Sequence, residues 1–238
     1  MLKQIIAMGG GGFSMEPDNP LLDDYILAQV KRTRPRVCFL PTASGDSASY
    51  IESFYQAFRS RDCEPSHLSV FNGPVGNWRE YLLSQDILYV GGGNTRNLLA
   101  LWREWTVDQI VLEAWDNGIV LAGISAGSIC WFEEGVTDSV PGSLTALRCL
   151  GLIEGSNCPH YDGEVHRRSS YHRLLKAGQI QSGIACDDGV AIHYVGKELY
   201  RIVSSRPSGR AYRVSIDTGT VLETELQPVY LGSNQIPL

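Results

Sequence analysis

The sequence predicts an α/β protein: a mostly parallel sheet sandwiched by helices, with antiparallel hairpins appended at its C-terminal end. Three observations carry this. Strand and helix patterns alternate through the first half, as a parallel sheet covered on both faces requires. Short turns rich in glycine or small residues end the strands, at residues 9–12, 42–45, 91–93 and 123–127. Beyond about residue 180 the pattern changes to short strands separated by turn signals.

Each element follows from local chemistry. Residues 4–8 form a first strand that runs into four glycines. Residues 20–34 place Leu21, Leu22, Tyr25, Ile26 and Val30 at helical spacing, with Asn19 as cap and Pro20 in the first turn. Residues 36–40 are a second strand, 47–59 a second helix and 66–71 a third strand, with a short helix at 78–84. Residues 86–90 form a fourth strand, followed by helices at 95–102 and 105–115. The apolar run 119–122 is the next strand, and residues 128–132 can start a helix. The later strands are expected at 183–192, 198–204, 210–216 and 220–226, and residues 233–238 are expected to fray.

The chain has 238 residues, enough for one α/β domain, taken here as residues 1–238. Its composition, 43% hydrophobic and 19% charged, is that of a folded, soluble protein. A formal charge of −6 and the lack of a basic block argue against a nucleic-acid partner. No run approaches membrane-spanning length, and the first residues are too short and interrupted for a signal peptide. The six cysteines show no Cys-x-x-Cys pair and read as reduced thiols of a cytoplasmic protein. Oligomeric state is not set by the sequence, and a homodimer is compatible with it.

The chemistry centres on Gly123-Ile124-Ser125-Ala126-Gly127. A serine on a sharp strand-to-helix turn has its hydroxyl lifted clear of the sheet, and the next amide faces a bound carbonyl. Ser125 is therefore the candidate nucleophile and the Ala126 N–H one oxyanion donor. A second donor is expected from Gly91-Gly92-Gly93-Asn94, where backbone can approach a carbonyl oxygen closely.

A serine needs a base, and the base an orienting acid. Of the five histidines, His67 and His193 read as structural, and His166 and His172 lie in a polar loop entering a helix. His160 stands apart, behind the rigid Asn157-Cys158-Pro159. Asp138, Asp187 and Asp188 are the acids in candidate positions. His160, Asp162, His166 and His172 match no standard metal-ligand spacing. Cys130 reads as a core residue.

Taken together, Val90-Gly91-Gly92-Gly93-Asn94-Thr95, Gly123-Ile124-Ser125-Ala126-Gly127, Pro159-His160 and Asp187-Asp188 before an apolar strand resemble the peptidase E family of serine peptidases, which includes aspartyl dipeptidases and cyanophycinases. The resemblance implies a class I glutamine-amidotransferase-like fold with serine in place of the amidotransferase cysteine. It implies Ser125 as nucleophile, His160 as base, the Gly93 and Ala126 amides as oxyanion hole, and no metal or organic cofactor. Asp188 falls where the family usually has a glutamate. The implied substrates are short peptides, with N-terminal Asp-x dipeptides foremost. An arginine after the histidine would bind the aspartyl carboxylate, which points to Arg167, and Asn94 is a further substrate contact. Cyanophycinase-like hydrolysis, another small-substrate hydrolase, or a non-catalytic binder on the same scaffold are the alternatives.

Overall fold

The computed structural model describes residues 2–233; the fraying expected of the last residues falls, from residue 234 on, outside them. In chain order the elements are β1 (Gln4–Met8), α1 (Gly12–Met15), α2 (Leu21–Leu27), β2 (Arg36–Leu40), α3 (Ala48–Phe58), β3 (Glu64–His67), α4 (Trp78–Leu83) and β4 (Ile87–Val90). Next come α5 (Thr95–Glu104), α6 (Val107–Asp116), β5 (Val120–Ile124), α7 (Ala126–Ile129), β6 (Phe132–Val140), β7 (Ser143–Arg148) and β8 (Ile153–Cys158). The chain continues through α8 (Arg167–Lys176), β9 (Gly183–Cys186), β10 (Val190–Val195), β11 (Glu198–Ser204), β12 (Ala211–Asp217), β13 (Thr220–Leu226) and β14 (Val229–Tyr230).

The expected α/β architecture is present. The main sheet has the order β14-β11-β10-β1-β5-β4-β2-β3. Strands β1 to β5 run parallel to one another, β10 joins β1 antiparallel, and β11 joins β10 antiparallel. Every residue of β1, β4 and β5 is buried, because layers of side chains cover both faces. On one face Phe13, Phe39, Phe54, Phe58 and Tyr89 interlock, with Phe13 in edge contact with the other four. On the other face Trp102, Trp131, Leu98 and Val111 pack over Leu88, Val90 and Leu121.

Several element boundaries differ from the sequence expectation. The third strand stops at His67, since the Asp46 carboxylate takes the Val70 and Phe71 N–H groups at 2.7 and 2.8 Å and draws the chain off the sheet. The first long helix spans only Leu21–Leu27. Its last turn tightens through Gln29 N–H to Ile26 O and Val30 N–H to Leu27 O; at its start the Asn19 side chain accepts the Leu21 N–H at 3.4 Å and donates to Ser205 O at 3.1 Å. The helix after Ser125 is a single turn.

The expected strand 183–192 is two strands in different sheets, with Asp187 and Asp188 at the crossing. A second sheet, β13-β12-β9-β8-β6-β7, was not anticipated. Its β6–β7 hairpin holds residues 132–148, and β8 leads directly to His160. No helix among the described residues is long and apolar enough to cross a membrane.

Candidate active site

The strand ends converge so tightly that side chains are excluded. A Cβ on Gly123 would lie 2.2 Å from Gly127 O, and one on Gly127 would lie 2.2 Å from Val90 O. The turn after β5 is thereby pressed against β4, and Ser125 is forced to φ 55°, ψ −111°. Six non-glycine residues among those described have positive φ; Ser125 and His160, at 55° and 54°, are two of them. Such backbone is costly and persists only where surrounding contacts impose it.

Those contacts are visible. Ser125 N–H donates to Met8 O at 3.2 Å, and His160 N–H donates to Gly9 O at 3.1 Å. The backbones of both residues therefore hang from adjacent carbonyls at the end of β1. Since β1 lies between β5 and β10, Ser125 arrives on one side and the Asp188 turn on the other.

Asp188 Oδ1 accepts a hydrogen bond from His160 Nδ1 at 2.6 Å. That bond fixes the tautomer and leaves Nε2 as the free basic nitrogen. Both side chains are largely buried, 12% and 11% exposed. The carboxylate is boxed in: a Cβ on Gly10 would meet Asp188 Oδ1 at 2.0 Å, and one on Gly163 would meet Oδ2 at 2.2 Å. Asp162 Oδ1 accepts the Asp188 N–H at 2.8 Å, holding the turn.

Neither rival acid is hydrogen-bonded to His160 among the described residues. The Asp187 carboxylate accepts Arg210 N–H at 3.0 Å at the start of β12, and burial raises its pKa to about 6. Asp138 is exposed on β6.

The Ser125 hydroxyl forms no hydrogen bond among the described residues, to His160 or to any other group. Such nucleophile–base bonds are often long without substrate and close in the Michaelis complex. Around it lies a cavity of 240 Å³ lined by Gly93, Asn94, Ser125, Asp138, Ser139, Glu164 and Arg167. A larger cavity, 760 Å³, lies away from these residues, against Phe132, Ser156, Tyr194 and Arg213.

Gly93 has φ 133°, and a Cβ there would lie 2.3 Å from Ala43 O, so only glycine presents its amide at this point. Neither the Gly93 nor the Ala126 N–H donates to another group among the described residues. Asn94 lines the cavity, but its side chain caps α5 through Asn97 N–H at 3.0 Å and donates to Ser139 O at 3.1 Å. Its hydrogen-bonding capacity is therefore largely committed to the fold.

Arg167, expected to bind the aspartyl carboxylate, lies at the start of α8 and is 2% exposed. Its Nη1 donates to Val136 O at 3.0 Å and its Nη2 to Glu164 at 2.7 Å, while Nε is buried without a partner. Arg168 pairs with Glu223 and Arg173 donates to Leu144 O, so neither lines this cavity.

Three of the other four histidines are engaged elsewhere. His193 lies between Tyr25 OH and Gln4, His67 bonds Tyr55 OH, and His172 bonds Glu223 at 2.6 Å. His160, Asp162, His166 and His172 do not form a metal-ligand group, and none of three or more such side chains occurs among the described residues. All six cysteines are free, and Cys130 is buried, its thiol pushed well up by burial. Gly10, Gly163 and Asp162 were not singled out as parts of this site. The Gly9–Gly12 turn was a visible signal for the first, whereas a single glycine at 163 carries none.

Comparison with known proteins adds a decisive observation: the sequence model described as Peptidase family S51 matches residues 5–202. The chain belongs to peptidase family S51. This S51 peptidase is 58% identical over 231 residues to the uncharacterized peptidase YgaJ of Bacillus subtilis (strain 168), covering 97% of this chain and all of that protein. A crystal structure of a peptidase from an acI-B1 actinobacterium superposes with a TM-score of 0.71 at 19% identity, covering 96% of this chain and 95% of that one. A putative peptidase E protein from Listeria monocytogenes EGD-e gives 0.64 at 22% identity, over 87% of this chain and all of the other. At these identities the two structures show that the S51 chain shares their fold.

Proposed function

We propose that the protein is a serine peptidase that hydrolyses short peptides, with N-terminal Asp-x dipeptides as substrates, through Ser125, His160 and Asp188 and an acyl-enzyme. The observation that carries this reading is that a strained Ser125 and a His160 whose Nδ1 is held by Asp188 at 2.6 Å have their backbone N–H groups on adjacent carbonyls, Met8 O and Gly9 O.

In the mechanism, His160 Nε2 takes the Ser125 proton as Oγ attacks the scissile carbonyl. The Gly93 and Ala126 N–H groups, which donate to no other group among the described residues, receive the oxyanion. His160 then passes the proton to the leaving amine, which departs as the acyl-enzyme forms. Water attacks the ester with His160 again as base, and Ser125 Oγ leaves with the proton restored. Asp188 stabilises the imidazolium in both halves.

The cavity supports this substrate class. Its 240 Å³ suits a small residue rather than a folded chain, and Arg167 offers the cation that a side-chain carboxylate needs. A dipeptide panel of Asp-x, β-Asp-x and neutral-x compounds, with ester substrates beside it, tests the proposal. Asp-x turnover that vanishes in Ser125→Ala is the expected result. A preference for β-Asp-x or esters would move the protein to the cyanophycinase-like or esterase alternative. Undiminished turnover by Ser125→Ala would remove the serine mechanism altogether.

A further inference from the structure

Two carboxylates of the Ser125 cavity have no part in the chemistry above. Asp138, on β6, forms neither a hydrogen bond nor an ion pair among the described residues. Its strand is pinned to the start of α5, through Asn94 to Ser139 O at 3.1 Å and Arg96 N–H to Ser139 Oγ at 3.2 Å. Asp138 is thereby held on the same wall as the Gly93 turn. Glu164 lines the same cavity, its side chain 42% exposed, with its carboxylate on Arg167 Nη2.

Arg167 is the opposite kind of residue. It is buried and clamped to Val136 O, yet its Nε has no acceptor. A buried guanidinium needs an anion, and here Glu164 supplies one from the solvent side. The cavity therefore holds one fixed cation at depth and two carboxylates nearer solvent. Its complement is a small group carrying a carboxylate and an ammonium a few atoms apart. An N-terminal aspartyl residue with a free α-amine has that pattern; an N-acylated one does not, and would leave both cavity carboxylates without a partner.

We propose that Asp138 and Glu164 are the receptor for the substrate's free α-ammonium. We further propose that Glu164 exchanges Arg167 for this ammonium when the substrate carboxylate takes its place on the guanidinium. This rests on the serine-peptidase reading and deepens it: the peptidase works from a free N-terminus because the cavity carries its own stand-in carboxylate.

The test compares Asp-Leu with N-acetyl-Asp-Leu, using wild type, Asp138→Asn, Glu164→Gln and the double variant. The expected wild-type preference for the free amine is about a hundredfold in kcat/KM, the scale of two charge-assisted hydrogen bonds. Each single variant raises KM for Asp-Leu about tenfold, and the double variant loses most of the preference. The same comparison is made by calorimetric titration of Ser125→Ala and of its Asp138→Asn/Glu164→Gln derivative, so that affinity is read without turnover. Preference for the free amine that survives in the double variant, or equal losses on both peptides, overturns the proposal. Wild-type turnover retained by Ser125→Ala counts instead against the serine mechanism, and the titration then still decides the ammonium site.

Discussion

At the scale of single residues, the distribution of three aspartates decides the site. Asp188 reaches His160 although its side chain is one methylene shorter than the glutamate usual in the resembled family. The turn compensates by bringing the backbone in, between two glycines that leave no room for more. Asp188→Glu is therefore expected to displace the imidazole and lower kcat about a hundredfold, as misplacement by about 1 Å does. Asp188→Asn, which keeps the size but favours the wrong tautomer, should cost about 10³- to 10⁴-fold. Steady-state rates on one dipeptide measure both, and an active Asp188→Glu would show that the glycine box does not constrain the acid.

Sequence alone singled out Ser125 and His160 because the elbow and the Cys158-Pro159-His160 step are local signals. It left Asp138, Asp187 and Asp188 as alternatives, since which carboxylate faces the imidazole depends on where two sheets cross. The burial of Arg167 was not legible for the same reason. Its burial comes from β6, whose Val136 carbonyl, 31 residues earlier in the chain, accepts from it.

At the scale of elements, the end of β1 links the site to the core. The chain leaves Met8, gives carbonyls to Ser125 and His160, and within four residues turns into α1, whose Phe13 ring enters the aromatic cluster on one face of the sheet. Gly10 has ordinary backbone angles, so Gly10→Ala is tolerated by the turn itself and fails only against Asp188 and His160. Activity should fall at least tenfold with little change in Tm, a split that kinetics and thermal melting on the same sample reveal. Phe13→Ala should do the reverse first, removing a buried ring at a cost of about 3–5 kcal/mol. The parallel strands were legible because their apolar runs are buried on both faces. The second sheet was not, because β6 mixes Glu133, Glu134, Thr137 and Asp138 with apolar residues and alternates too weakly to read as a strand.

At the scale of the whole molecule, two buried groups away from Ser125 and His160 shape stability against pH. His193 is buried, and burial together with the charge of Arg201 lowers its pKa to about 4. The unfolded chain takes up that proton near pH 6.5. This contribution is thus complete above pH 6.5 and is lost as the pH falls toward 4, worth about 3 kcal/mol across the window. Asp23 works in the opposite sense. Burial raises its pKa to about 7, so its contribution is largest below the unfolded value of 3.8 and fades as the pH rises through 7. The two offset one another in mildly acidic solution. His193→Gln should therefore be less sensitive to acid than the wild type, and denaturant unfolding at pH 7 and pH 4.5 measures the difference.

All these scales meet in one claim, that Ser125 is a nucleophile activated by His160 from across the end of β1. Intact-mass and peptide mapping after treatment with a serine-directed phosphonate tests it most directly. A single adduct on Ser125, absent from Ser125→Ala and strongly slowed in His160→Ala, is the result expected. Labelling of Ser125 at the wild-type rate without His160, or an adduct on a different residue, would contradict it.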